Sequence, residues 1–315
     1  MKIVVLEGFA VNPGDLCWDC LNTLGEVTVY DHTAPEEAAA QIGDAEIVLI
    51  NKTPVTAQLL DTCPGIKLIC VQATGYNVVD CDAAKKRGIP VCNVPAYGTP
   101  AVSQFTFSLL LELCNRVGHH DRLIHDGEWN RRGTFSFWDT PQMELAGKTI
   151  GIIGYGKIGK AVGVIAKAFG MKVLAYSRSA TPGEGDYVTL DTLLAQSDIV
   201  SLHCPLTEES QGMINKKTIA QMKDGAILIN TARGAMIVEE DVADALKKGK
   251  LAGAAMDVVC QEPISPSSPL LTAPNCVITP HMAWAPLEAR QRVIDCSFRN
   301  IEAYLKGAPI NVVNP

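Results

Sequence analysis

An α/β fold with two doubly wound, parallel-sheet domains is predicted by three observations. Short apolar runs alternate with helical stretches from one end of the chain to the other. The length of 315 residues suits two domains, at roughly 100–200 residues per domain. Hydrophobic residues make up 47% of the chain and charged residues 19%, a balance that suits sheets covered on both faces.

In the first part the strand candidates are 2–6, 27–30, 47–50, 67–71 and 90–94, with helical stretches such as 35–42 and 80–87 between them. A second unit begins after Gly147 with the apolar run 148–153. Its further strands are 172–176, 199–203, 226–230, 251–256 and 276–279. An apolar helix over 101–115 suits a crossing from one unit to the other. The amphipathic stretch 286–306 follows the last strand, and the simplest topology returns it to the first domain. A first domain of 1–99 plus 286–315, with 100–285 inserted as the second, is therefore expected. Segment 118–145 is less regular and carries Trp129, Phe135, Phe137 and Trp138. Such aromatics mark either an interface or a loop tucked against its own domain.

The net charge of −7 and the absence of a basic stripe argue against a nucleic-acid binder. Lys247, Lys248 and Lys250 read as the end of a helix complementing its dipole. No run reaches 18 apolar residues, so no membrane span is expected. The opening MKIVVLEGF lacks the apolar stretch of a signal peptide. The eleven cysteines are scattered, and a reducing, cytoplasmic setting is expected. Cys70, Cys204 and Cys260 lie in apolar runs and read as buried small hydrophobes. Cys17-Trp-Asp-Cys20 has redox or metal spacing, but no second Cys/His pair stands at zinc distance. It reads as two helix residues, one facing in, and no metal is expected.

Gly154-Tyr-Gly156-Lys-Ile-Gly159 follows one strand candidate directly and opens a helix. Gly154 permits the tight turn, Gly156 lets a pyrophosphate approach the backbone, and Gly159 lets helix and strand pack closely. The free N–H groups at the helix start, from Lys157 and Ile158 onward, then face the phosphates. The chain thus reads as a dinucleotide binder. The next strand ends Ala175-Tyr176-Ser177-Arg178. The acid that usually holds a ribose 2′-hydroxyl is absent there. Ser177 can bond a hydroxyl or a phosphate, and Arg178 can pair with a 2′-phosphate. The cofactor is therefore NAD(H) or NADP(H), with a lean to NADP(H). The alternative is an Arg178 turned into solvent with NAD bound.

Three polar motifs stand just after strands of the second unit. Arg233 and Gly234 follow 226–230, Asp257 and Glu262-Pro263 follow 251–256, and His281 follows 276–279. In an open α/β sheet the carboxyl ends of the strands line the ligand crevice. Arg233, Glu262 and His281 are thus expected to converge near the nicotinamide.

With these motifs the chain resembles the D-isomer-specific 2-hydroxyacid dehydrogenase family over essentially its whole length. The resemblance rests on Gly154–Gly159, His203-Cys-Pro-Leu-Thr207, Asn230-Thr-Ala-Arg-Gly234, Asp257 with Glu262-Pro263, and Thr279-Pro-His281. It implies a Rossmann dinucleotide domain inserted into a flavodoxin-like substrate domain, and a homodimer. It also implies roles for single residues. Arg233 would bind the substrate carboxylate and carbonyl oxygen, His281 would be the acid/base, and Glu262 would bond the imidazole. Thr74, Cys204, Pro205, Thr231, Ala232, Asp257 and His281 would contact the cofactor. Ala73-Thr74-Gly75 matches a loop that offers backbone N–H groups to the carboxylate. Trp284-Ala-Pro286, the loop Thr74-Gly-Tyr-Asn77 and 135–138 look most like the glycerate dehydrogenase, or hydroxypyruvate reductase, branch. There Trp284 would narrow the pocket toward small acids, and Trp138 would reach a neighbouring subunit's site. Two departures stand out: Ser177 replaces the ribose-binding acid, and Gln104 stands where many members carry Glu.

The expected reaction is reversible hydride transfer between NAD(P)(H) and a small 2-hydroxy/2-oxo acid, D-glycerate/hydroxypyruvate or glycolate/glyoxylate. A base must lie within reach of the 2-hydroxyl, and an imidazole titrates at about 6.5, close to working pH. Alternatives are a dehydrogenase for a larger 2-oxo acid and a non-catalytic dinucleotide sensor of the same fold.

Overall fold

The computed structural model describes residues 1–183 and 185–315. The chain divides into two compact units, 1–98 with 284–315, and 99–283.

The first unit holds a five-stranded parallel sheet. Its strands are β1 (Lys2–Val5), β2 (Glu26–Val29), β3 (Ile47–Ile50), β4 (Leu68–Val71) and β5 (Val91–Cys92), in the order β2-β1-β3-β4-β5. This is the flavodoxin-like order. Side chains alternate across each strand, so one sequence of apolar residues fills two cores. Val4, Val48, Ile50, Ile69 and Val71 pack on one face. Ile3, Ile47, Leu49, Leu68 and Cys70 pack on the other, against Ile301 of the helix Leu287–Leu305. That helix is tied down by Arg290, which donates to both carboxylate oxygens of Asp15 at 2.6 Å and to the Val11 carbonyl at 3.1 Å. The C-terminal segment closes the free edge of β5: Val313 N donates to Val91 O, and Asn93 N to Asn311 O.

Where the strand order reverses, between β1 and β3, the carboxylate of Glu7 organises the loop that leaves β3. Its Oε2 accepts from the consecutive backbone N–H groups of Asn51, Lys52 and Thr53 at 2.9, 2.6 and 2.7 Å. Hydrogen bonds to an ionised acceptor are roughly twice as strong as neutral ones, so one side chain fixes three backbone groups.

The second unit holds a six-stranded parallel sheet: β6 (Thr149–Ile153), β7 (Lys172–Tyr176), β8 (Ile199–Leu202), β9 (Ala226–Asn230), β10 (Leu251–Met256) and β11 (Cys276–Ile278). The order is β11-β10-β9-β8-β6-β7. The chain runs outward from β6 to β7, then returns to the other side of β6, so the switch point lies at the carboxyl end of β6. Both faces are covered. Ile150, Ile152, Ile227 and Ile229 pack beneath Phe107, Leu110 and Leu113 of the helix Thr99–Asn115 and Val162 and Ala166 of the helix Lys157–Ala168. Val200, Leu202, Leu228 and Met256 face the opposite core.

One expectation is refined and one corrected. Segment 118–145 is less regular, as expected, from 133 to 145, whereas its first part is helical, in Val117–His125 and Glu128–Arg132. Neither buries a residue, so neither contributes to a core. Of the three cysteines expected inside, only Cys70 is buried. Cys204 is half-buried and Cys260 is exposed, because both lie in loops beyond the strand ends, where apolar neighbours in sequence do not mean cover in space. Cys17 also departs from expectation: it is exposed and lies ahead of the short helix Asp19–Asn22, so only Cys20, half-buried, is a helix residue.

Candidate active site

The glycine turn sits at the switch point of the second sheet. Gly154 adopts φ +95°, a conformation L side chains rarely take. A Cβ there would also overlap the backbone of His203 and Cys204. The turn after β6 is therefore seated directly on the Cys204–Pro205 turn after β8. A Cβ on Gly159 would overlap the Gly154 carbonyl, which sets the close approach of helix to strand. Gly156 differs. Its φ of −80° makes no demand for glycine, and a Cβ would meet nothing within 4 Å. The fold itself does not require glycine there. Open space beside a twelve-residue helix's N-terminus, with exposed Gly156 and Lys157 and half-buried Ile158, fits the pyrophosphate of a dinucleotide.

Ser177 and Arg178 follow β7. Arg178 Nη1 donates to Glu209 at 2.5 Å, both side chains being about 70% exposed, at 69% and 70%. The Thr207 hydroxyl also donates to Glu209, at 3.0 Å. His203, ahead of Cys204, shares a 2.8 Å bond with buried Ser201, and desolvation lowers its pKa to about 4.

At the end of β9, fully buried Asn230 clamps the next turn. Its Oδ1 accepts from Ala232 N at 3.0 Å, and its Nδ2 donates to Arg233 O at 2.9 Å. The Thr231 hydroxyl lies 3.3 Å from that of Thr106. Arg233 is exposed, with Nη1 donating to the Ala232 carbonyl at 2.7 Å. Gly234 then presses against the next loop: a Cβ there would overlap the Val259 carbonyl and the Cys260 nitrogen. The Arg233 loop and the loop leading to Glu262 are thus in backbone contact. On the far side, buried Glu239 accepts from Cys260 N at 2.8 Å and Ser268 Oγ at 2.7 Å. Gly234→Ala should lower kcat/KM about 10–100-fold, since displacement by about 1 Å costs on this scale. It should also lower stability by about 1–3 kcal/mol through overpacking. Steady-state kinetics with a thermal melt would check both, and wild-type values would show that the loop contact is not needed.

Asp257 holds the loop that carries His281. Its Oδ1 accepts from Thr279 Oγ1 at 2.7 Å and Met282 N at 2.9 Å, and its Oδ2 accepts from Ala283 N at 2.9 Å. His281 N donates to the Asp257 main-chain oxygen. Burial pushes the Asp257 carboxyl above its ordinary range, and these hydrogen bonds pull in the opposite direction. Within this frame His281 takes φ +53°, which costs on the order of 1–3 kcal/mol and persists only where the surroundings over-determine it. Its Nδ1 donates to Glu262 Oε2 at 2.7 Å, with the imidazole side chain 26% exposed. That bond assigns the Nδ1–H tautomer and leaves Nε2 as the basic nitrogen.

In the first unit, Ala73, Thr74 and Gly75 form the loop after β4. Trp284 is half-buried and stacks edge-on against Tyr97 at 6.4 Å. The framing residues Asn230, Glu239 and Asp257 make polar bonds across loops. Asn230 and Asp257 stand in the motifs quoted from the sequence, but only Asp257 carried an expected role, cofactor contact. For these two a polar residue at a strand end is the signal, whereas Glu239 opens a helix. Among the described residues, no group of three or more His, Cys, Asp or Glu could hold a metal ion. No helix among them is long and apolar enough to cross a membrane.

Residues 107–283 match the family described as D-isomer specific 2-hydroxyacid dehydrogenase, NAD binding domain. Over its full length the chain is 54% identical to all of a protein named hydroxypyruvate reductase from Blautia hydrogenotrophica. It is 43% identical to a glycerate dehydrogenase from Methylorubrum extorquens, over 91% of this chain and 92% of the relative. A solved acyclic imino acid reductase in complex with NADPH and D-Arg superposes with a TM-score of 0.85 at 30% identity, covering 99% of this chain and 100% of that one. The chain is an oxidoreductase and belongs to the D-isomer-specific 2-hydroxyacid dehydrogenase family, on the branch that includes proteins named hydroxypyruvate reductase and glycerate dehydrogenase.

Proposed function

We propose that the physiological pair is D-glycerate and hydroxypyruvate, with glycolate and glyoxylate as a second pair handled by the same site. The chemistry rests on the 2.7 Å bond from His281 Nδ1 to Glu262. It directs Nε2 to the substrate oxygen, as base for a 2-hydroxyl and, once protonated, as acid for a 2-oxo group. The nicotinamide, when bound, supplies or accepts the hydride. Arg233 holds the carboxylate by a charge-assisted, bidentate pair and stabilises negative charge on the substrate oxygen. In the first unit, the Thr74 and Gly75 N–H groups are assigned to the substrate carboxylate and Trp284 to restricting substrate size. The dinucleotide is held by Gly154, Gly156, Gly159 and the N–H groups of Lys157 and Ile158. Ser177 and Arg178 take the adenosine ribose, and Thr74, Cys204, Pro205, Thr231, Ala232, Asp257 and His281 complete the contacts. The substrate is supported by the names of the 54% and 43% identical relatives.

We also favour NADPH over NADH. The pair between Arg178 and Glu209 is exposed on both sides and therefore weak in water, so Arg178 can leave it for a 2′-phosphate. A relative of the same fold is solved with NADPH. Initial rates of hydroxypyruvate and glyoxylate reduction with each cofactor test both assignments. Arg178→Ala should lower kcat/KM for NADPH about 10–50-fold and change that for NADH less than threefold, consistent with the loss of a charge-assisted phosphate pair. Strong NADH preference in the native protein would remove Arg178 as a phosphate ligand. Cofactor binding without turnover of any 2-oxo acid would turn the assignment toward a sensor.

A homodimer is proposed as well. Phe135, Trp138 and Val117 are 95%, 65% and 65% exposed in the segment that follows the helix Thr99–Asn115, and Trp138 is the residue proposed to reach a second copy's site. A cytoplasmic setting suits the eleven free cysteines.

A further inference from the structure

The loop 73–75 does not present its N–H groups by chance. In a trans peptide the C=O and the N–H of one plane point in opposite directions. Fixing a carbonyl therefore aims the following N–H. Two successive carbonyls of this loop are fixed from the same side. Val94 N donates to Ala73 O at 3.0 Å, and Asn93 Nδ2 donates to Thr74 O at 2.7 Å. The Thr74 and Gly75 N–H groups consequently both point away from 93–94. Neither has a hydrogen-bond partner among the described residues. Thr74 is exposed and Gly75 half-buried, so water or a ligand can reach them. Successive N–H groups aimed alike form an anion-binding concavity. The Thr74 hydroxyl is turned back to donate to Val94 O at 2.9 Å, which keeps it out of that concavity.

Asn93 is itself held on every side. Its N–H donates to Asn311 O at 3.1 Å. Its main-chain oxygen accepts from Asn300 Nδ2 at 2.9 Å, and Asn300 Oδ1 accepts from Asn311 Nδ2 at 2.8 Å. Asn93 is 8% exposed and Asn300 fully buried. Three asparagines, from just after β5, the last helix and the C-terminal segment, thus form one largely buried network. Among the described residues, it reaches the loop through the Asn93 amide. A carbonyl can only accept, so the NH2 of that amide, and not its oxygen, faces Thr74.

We infer that Asn93 is a positioning residue for carboxylate recognition: it pins the Thr74–Gly75 peptide so that the Gly75 N–H is aimed at the substrate carboxylate. This rests on the proposed role of loop 73–75 as a carboxylate binder. Asn93→Asp keeps the shape but sets an acceptor against the Thr74 carbonyl, which releases the peptide. Asn93→Ser draws the donor back without adding charge, and so separates peptide release from simple repulsion of an anionic substrate. Both variants are compared with the native protein for hydroxypyruvate KM, kcat and cofactor KM, with a thermal melt to confirm folding. The expected result is a rise of about tenfold or more in hydroxypyruvate KM in both, with kcat within about threefold and cofactor KM within about twofold, as for loss of an interaction made equally in ground and transition states. A parallel change in kcat and cofactor KM, or an unchanged hydroxypyruvate KM, would overturn the inference. Gly75→Pro deletes the N–H itself. If it raises hydroxypyruvate KM while the Asn93 variants do not, Asn93 alone loses its role. If it too leaves KM unchanged, the carboxylate-binding role of the loop falls, and the inference with it.

Discussion

Replacing His281 by Ala should lower turnover of the 2-oxo acid about 10²–10⁴-fold, the usual contribution of a positioned acid or base, while dinucleotide binding stays within about threefold. The expectation comes from what the fold spends on this residue. The loop 279–283 wraps around the Asp257 carboxylate through three hydrogen bonds. It holds His281 in a left-handed backbone conformation at φ +53°. Strain of this kind relaxes unless something maintains it. Here a buried carboxylate maintains it, although burial pushes that carboxyl toward its neutral form. The result is an imidazole whose Nδ1–H is committed to Glu262 and whose Nε2 is free to exchange a proton. Removing the ring takes away one of many proposed dinucleotide contacts and leaves Asp257 and the loop backbone in place, so binding should change by no more than about threefold, a small effect beside the loss of the acid or base. Single-turnover reduction and fluorescence titration with the reduced cofactor would measure the two quantities separately. Native turnover in His281→Ala would remove His281 from proton transfer.

The sequence made the ends of this site legible and hid its supports. Arg233, Glu262 and His281 each follow an apolar run, and the rule that ligands gather at the carboxyl ends of parallel strands assigns them to one edge. Gly154–Gly159 is legible because Gly154 and Gly159 each answer a separate steric demand of the fold, while Gly156 leaves space for a pyrophosphate. The supports leave no such trace. Glu7 reaches 44 to 46 residues along the chain to Asn51, Lys52 and Thr53. Asn300 lies 207 residues from Asn93. Such bonds follow neither the helical nor the strand period, so no periodic pattern reveals them. The helices Val117–His125 and Glu128–Arg132 bury nothing, so a reading that follows core-forming apolar runs passes over them. Cys260 misled in the opposite sense. Its apolar neighbours Val258 and Val259 are buried beyond the end of β10, whereas Cys260, in the loop that Glu239 anchors, is exposed.

Arg233→Ala is expected to lower kcat/KM for hydroxypyruvate about 10³–10⁴-fold, by combining loss of a charge-assisted pair with loss of a donor to the developing alkoxide. Only part of this is recoverable by charge. Arg233→Lys keeps the cation but not the planar fork that matches a carboxylate, so it should recover about tenfold and no more. The structure supports this distinction. Arg233 is exposed, and one guanidinium nitrogen is already engaged at 2.7 Å by the Ala232 carbonyl. That bond orients the fork before substrate arrives. The turn beneath it is locked by Asn230, and Gly234 fixes it against the Glu262 loop. An ammonium on a flexible stem cannot inherit that orientation, because the Ala232 carbonyl would take it as a point charge. Measured kcat/KM for the two variants decides the matter. Full recovery by Lys would mean that Arg233 supplies only field. Partial recovery would mean that the carboxylate is read by geometry, which is what the clamped turn provides.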